Sequence, residues 1–183
     1  MMSAAKQPNV IWRPAPRKQY DVHKVFNEWQ AKEYAERHGM SVVSVRVSNV
    51  AGSDKTIGSV DHVACIVEPA RGKSVALDKR KRMRNVIYGD DAAEIFLRLA
   101  EARRPRYAIY NSGGAPLSLG EIAEMVGHII PDARVSFEDT KNPVADNSAY
   151  LFDNARLREE FGIQFPPYAE WVEKMIREVR NRA

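Results

Sequence analysis

Residues 20–52, YDVHKVFNEWQAKEYAERHGMSVVSVRVSNVAG, decide how the rest of the chain is read. Val22, Val25, Phe26, Trp29 and Tyr34 recur at helical spacing with charged residues between them, and Gly39 supplies a stop, so the pattern predicts a helix over 20–38. Valine then alternates with polar residues from Ser41 to Val50, which predicts a strand closed by Gly52. Tyr20 and Lys24 stand four apart on the helix and therefore project from one face. An ammonium near a phenol favours the phenolate by Coulombic attraction, which makes such a tyrosine a candidate general base. By itself the spacing is weak, because it also arises on ordinary surface helices.

Working outward, residues 1–19 carry three prolines and no sustained periodicity, and read as an irregular lead-in. Downstream, 61–68 is apolar enough for either a helix or a strand. Short strands are predicted at 73–77, 85–88, 106–111 and 134–138, with 112–116 as a turn. Helices are predicted at 92–102, from Ser118 to about Ile130, from Asn154 to a stop at Gly162, and from about Tyr168 onward. Ser118 with Glu121 three residues later forms a capping-box signature. Strands alternating with helices predict an α/β fold with a mainly parallel sheet.

Composition narrows the function classes. The 183 residues are 44% hydrophobic, 28% charged and 9% aromatic, which fits a folded domain and disfavours disorder or low complexity. The longest apolar run, Val63–Val67, is far short of a membrane span, and the first ten residues lack a signal peptide's apolar segment, so a cytoplasmic location without membrane contact is expected. Cys65 is the one cysteine, reads as a small buried side chain, and allows neither an internal disulfide nor a cysteine metal cage. The four histidines, His23, His38, His62 and His128, have no paired ligand spacing, so no metal is expected. A net charge of +4 and the basic run Lys79–Arg84 permit nucleic-acid binding without requiring it; the run lacks interleaved aromatics, and the reading is disfavoured.

Several stretches together resemble the extended short-chain dehydrogenase/reductase family, the NAD-dependent epimerases and dehydratases. Beyond Tyr20 and Lys24, Glu28 falls at the family's distance from the lysine, and Arg46, Asn49 and Gly52 fit its Arg-x-x-Asn-x-x-Gly strand end. RNVIYGDDAAEIFLRLAEA (84–102) is similar to its segment in which an arginine leads a strand and an aspartate-alanine pair opens a helix. YAIYNSGGAPLSLGEIAEMV (107–126) resembles its last sheet strand and following helix, and FDNARLREEFGIQFPPYAEWVEKMI (152–176) its usual ending.

The resemblance implies an incomplete Rossmann-like, NAD(P)-binding parallel sheet with a small C-terminal substrate domain. Residues 20–52 and 86–113 would be cofactor-domain elements, and 53–85 and 114–183 substrate-domain elements. It implies that Tyr20 exchanges a proton with a substrate hydroxyl or carbonyl during hydride transfer with NAD or NADP, and that Lys24 holds the phenolate and the nicotinamide ribose. The backbone at Val47 and Ser48 would flank the nicotinamide, Asn49 would contact substrate, and Arg84 would clamp a sugar nucleotide's diphosphate. Asn49 could instead shape a turn, and Arg84 could be one more solvated cation. Ser3 stands too near the start to match the family's catalytic serine, and Lys141 or Asn142 falls where sugar-nucleotide members often place a second arginine. That departure leaves room for a smaller sugar or other carbonyl compound.

The family's glycine-rich pyrophosphate turn has no counterpart, since no three of the ten glycines have the G-x-G-x-x-G spacing, and only 19 residues precede Tyr20. A single β-α-β unit takes about 30. The chain therefore reads as the C-terminal part of an epimerase/dehydratase-like oxidoreductase or isomerase acting on a sugar-type small molecule. The alternative is an inactive remnant serving as a binding or oligomerisation module, paired through the Tyr20–His38 helix as a homodimer or with a missing N-terminal half.

Overall fold

The computed structural model describes residues 19–138 and 152–182. The 1–18 part of the lead-in, Ser3, Lys141 and Asn142 lie outside the described residues. The elements are, in order, α1 (Gln19–His38), β1 (Ser44–Arg46), β2 (Asn49–Ala51), α2 (Asp61–Ala70), β3 (Val75–Asp78), β4 (Met83–Tyr88), α3 (Gly89–Glu101), β5 (Ile109–Asn111), β6 (Ala115–Ser118), α4 (Leu119–Ile129), β7 (Val135–Glu138), α5 (Ala155–Phe161) and α6 (Tyr168–Asn181).

The strands form three small sheets. β1 pairs with β5 and β3 with β7, both in parallel, while β4 lies between a parallel β2 and an antiparallel β6. The single predicted strand over 41–50 is thus divided: β1 and β2 join different partners, with Val47 and Ser48 at the crossing. The first half of β6, Ala115 and Pro116, falls within the stretch predicted as a turn. Its Pro116, opposite Asn85, reads as a turn residue in sequence, yet β6 is an edge strand, where a missing N–H is tolerated.

Two cores organise the chain. The larger packs α2, α4 and α6 around Ile66, Leu119, Ile122, Val126, Val172 and Met175. The ambiguous 61–68 run resolves as helix α2 because it contacts both α4 and α6, a continuous apolar surface that needs no period of two. Cys65 is fully buried there, as its apolar setting predicts. The smaller core gathers Ile87, Ile95, Leu99, Tyr110 and Leu157 beneath β1 and β5. The α4 capping box forms as predicted: Glu121 N–H donates to Ser118 Oγ at 3.1 Å, and Ser118 N–H donates to the Glu121 carboxylate at 2.7 Å.

α1 forms at its predicted place but packs otherwise than its pattern suggests. It buries no residue; Phe26 and Trp29 are 59% and 65% exposed. It is tied to the sheet by Arg46, whose Nε and NH2 group donate to the two Glu28 carboxylate oxygens at 2.7 and 2.8 Å, a bidentate pair.

Candidate functional site

Tyr20 and Lys24 lie in the first turns of α1, on one face as their spacing requires. The Lys24 ammonium is 5.2 Å from the centroid of the Tyr20 ring, and Tyr20 is 67% exposed. The phenol is therefore open to a reactant, with the Lys24 ammonium beside its ring. Asp21, inside the motif, is half-buried.

The β1–β2 crossing brings Ser48 against the end of β5. Ser48 N–H donates to Ser112 Oγ at 3.0 Å, and Ser112 Oγ donates to Gly113 O at 2.9 Å and lies 3.4 Å from Ser48 Oγ. Val47 packs on the smaller core. Asn49 donates its side-chain N–H to Asn85 O at 3.0 Å, fastening β2 to β4. This contact gives Asn49 a structural task beside any contact with substrate.

Arg84 is not a solvated cation. Its side chain is 14% exposed, and its Nε and NH2 group donate to the two oxygens of Asp61 at 2.9 and 2.5 Å. Asp61 also accepts its neighbour His62's backbone N–H at 2.9 Å. Arg82 stands 3.8 Å from Asp61 and 2.9 Å from Asp78. Burial opposes ionisation of Asp61, but hydrogen bonds from His62 and Arg84 and the Arg84 charge outweigh it, holding the carboxyl well below the usual carboxylate range. Beside this pair, burial pushes the Lys55 ammonium down, and its Nζ donates to Val50 O at 2.7 Å.

Asp61 and Lys55 are not signalled by the sequence, and Arg82 stands out there only as part of the basic run Lys79–Arg84. Asp61 precedes an apolar run, as many helix-opening acids do, and its partner lies 23 positions away. A depressed folded-state pKa means that Asp61 contributes stability above its unfolded value of about 3.9 and loses it as pH falls. In urea melts, wild type should exceed Asp61→Asn by roughly 1–3 kcal/mol at pH 7. The gap should close as pH drops below about 4; a gap independent of pH would contradict the ionised pair.

A nicotinamide dinucleotide needs contacts at its nicotinamide end and at its pyrophosphate. The exposed Tyr20–Lys24 face and the Val47–Ser48 crossing suit the first. For the second, none of the ten glycines has the required spacing, and no glycine-rich turn between strand and helix N-terminus serves it among the described residues. Among those residues there is also no cluster of metal-ligating side chains, and no helix is long and apolar enough to cross a membrane.

No curated protein matches the sequence. Solved structures do. L-threonine dehydrogenase from Phytophthora infestans is 19% identical, with a TM-score of 0.85 over 97% of this chain and 60% of its own. UDP-glucose 4-epimerase from Thermus thermophilus, solved with NAD, is 20% identical, with a TM-score of 0.82 over 98% of this chain and 59% of its own. A GalE-like L-threonine dehydrogenase from Cupriavidus necator is 21% identical, with a TM-score of 0.79 over 90% and 62%. The fold is thus the Rossmann-like α/β arrangement of these enzymes, and the chain spans about three fifths of their length. A model of the NAD dependent epimerase/dehydratase family matches residues 5–113, more than half of the chain and the stretch holding Tyr20, Lys24, Asn49 and Arg84; the chain belongs to that family.

Proposed function

We propose that this chain supplies the proton-transfer side of an NAD(P)-dependent oxidoreductase or isomerase acting at a hydroxyl or carbonyl carbon of a sugar or related small molecule. The observation that carries the reading is the Tyr20–Lys24 pair, on one open face of α1 with 5.2 Å between ammonium and ring, inside the segment that matches the family. A bound nicotinamide dinucleotide would supply the hydride acceptor or donor.

In the oxidising direction Tyr20 Oη takes the proton of the substrate hydroxyl, and in the reducing direction it returns one to the carbonyl oxygen. Lys24 stabilises the phenolate and hydrogen-bonds the nicotinamide ribose. Val47 and Ser48 flank the ring, and Asn49 and Arg84 border the substrate. The pyrophosphate contact comes from a glycine-rich portion other than the described residues.

NADH fluorescence tests this. The purified chain should bind NADH negligibly by itself and detectably when supplemented with the glycine-rich half of a family member, and Lys24→Ala should abolish the gain. Binding indifferent to Lys24 would sink the reading; micromolar binding by the chain alone would refute the external pyrophosphate contact.

A second reading, an oligomerisation module, draws on the exposure of Phe26 and Trp29 on α1. An aromatic helix face of this kind suits burial against a second copy or a complementary chain.

A further inference from the structure

The family resemblance gives Arg84 the task of gripping a diphosphate, but its guanidinium is already engaged on every nitrogen. Nε and the NH2 group hold the two Asp61 oxygens at 2.9 and 2.5 Å, in the forked arrangement a phosphate would require, and the NH1 group donates to Met83 O at 3.1 Å. The pair is largely withdrawn from water, with 14% and 19% of the two side chains exposed. Arg82, the nearest substitute partner for Asp61, is itself held by Asp78 at 2.9 Å. The two arginines are therefore matched by two carboxylates.

We infer that Asp61 is a specificity-determining residue: it occupies the Arg84 fork, excludes diphosphate-bearing substrates, and leaves hydroxyl compounds without a diphosphate as the substrate class. This rests on the oxidoreductase reading of the site. A diphosphate could claim Arg84 only by detaching Asp61, stranding an ionised carboxylate in a poorly solvated position beside two incoming negative charges. Breaking a buried pair on one side and juxtaposing like charges are both costly. Lys55 acts on Asp61 only through its charge, since its ammonium donates to Val50 O and not to the carboxylate, so it does not replace the forked pair. A compound lacking the diphosphate leaves the Arg84–Asp61 pair intact.

Calorimetric titration of the full chain with UDP-glucose and with inorganic pyrophosphate tests the assignment. Asp61→Asn should bind both at least about tenfold more tightly than wild type, and the gain should vanish in Asp61→Asn/Arg84→Met. Wild type binding as tightly as Asp61→Asn, or a gain that survives removal of Arg84, would overturn it. Should Asp61→Asn fail to fold, wild type is compared with Arg84→Lys: equal, weak affinities are expected, and a tenfold loss on replacing Arg84 would overturn the inference. The readout is binding without turnover, so absence of hydride transfer would defeat the oxidoreductase reading while leaving this contrast measurable.

Discussion

Tyr20→Phe should lower hydride transfer by about 10²–10⁴-fold in the protein supplemented with a nucleotide-binding half. The change deletes one oxygen from a side chain that is 67% exposed on a helix burying no residue, so it creates neither a cavity nor an unsatisfied group. NADH binding and the melting curve should be unchanged, and the loss should fall on kcat, because the phenol acts on the reacting oxygen rather than on binding. NADH formation, followed with a panel of sugars and other hydroxyl compounds, gives the rate. Turnover within threefold of wild type would remove Tyr20 from the chemistry and with it the proposed function.

The second large effect is structural and lies beside the candidate site. Gly114 follows β5 with φ +134°, and a Cβ there would collide with Asn85 Oδ1 and stand 2.7 Å from Ser48 Oγ and 2.9 Å from Val86 O. The last of these is backbone in the middle strand of its sheet and cannot swing aside. Gly114→Ala therefore combines backbone strain with overpacking and should cost about 2–4 kcal/mol, a fall of roughly 5–15 °C in Tm. Gly127 makes the control: it lies inside α4 with nothing within 4 Å of the position a methyl group would take, so Gly127→Ala should stabilise by up to about 1 kcal/mol. Equal melting of the two variants would contradict this packing around Ser48 and Asn85.

What could be read in the sequence was local. The Tyr20–Lys24 juxtaposition follows from four residues of helix, and the α4 boundary from Ser118 and Glu121, three apart. The ends of α1 and α5 follow from Gly39 and Gly162, which adopt φ +64° and +65°. β6 was missed because Pro116 and two glycines signal a turn, and only the neighbouring β4 makes a strand of the residues that follow. The 61–68 run could not be assigned because burial of all but the Asp61, Ala64 and Glu68 edge leaves little periodicity to read.

The amino-acid sequence by itself determined the α/β class, most of the helices and the tyrosine and lysine that share a helix face, because each depends on contacts a few residues apart. Tertiary structure alone decided the partner of Arg84. Asp61 and Arg84 meet across 23 positions only when α2 docks beside β4, and neither residue's own surroundings in sequence reveal the partner. It also decided that the aromatic face of α1 meets solvent, since helical spacing makes a face apolar but does not supply a surface to cover it.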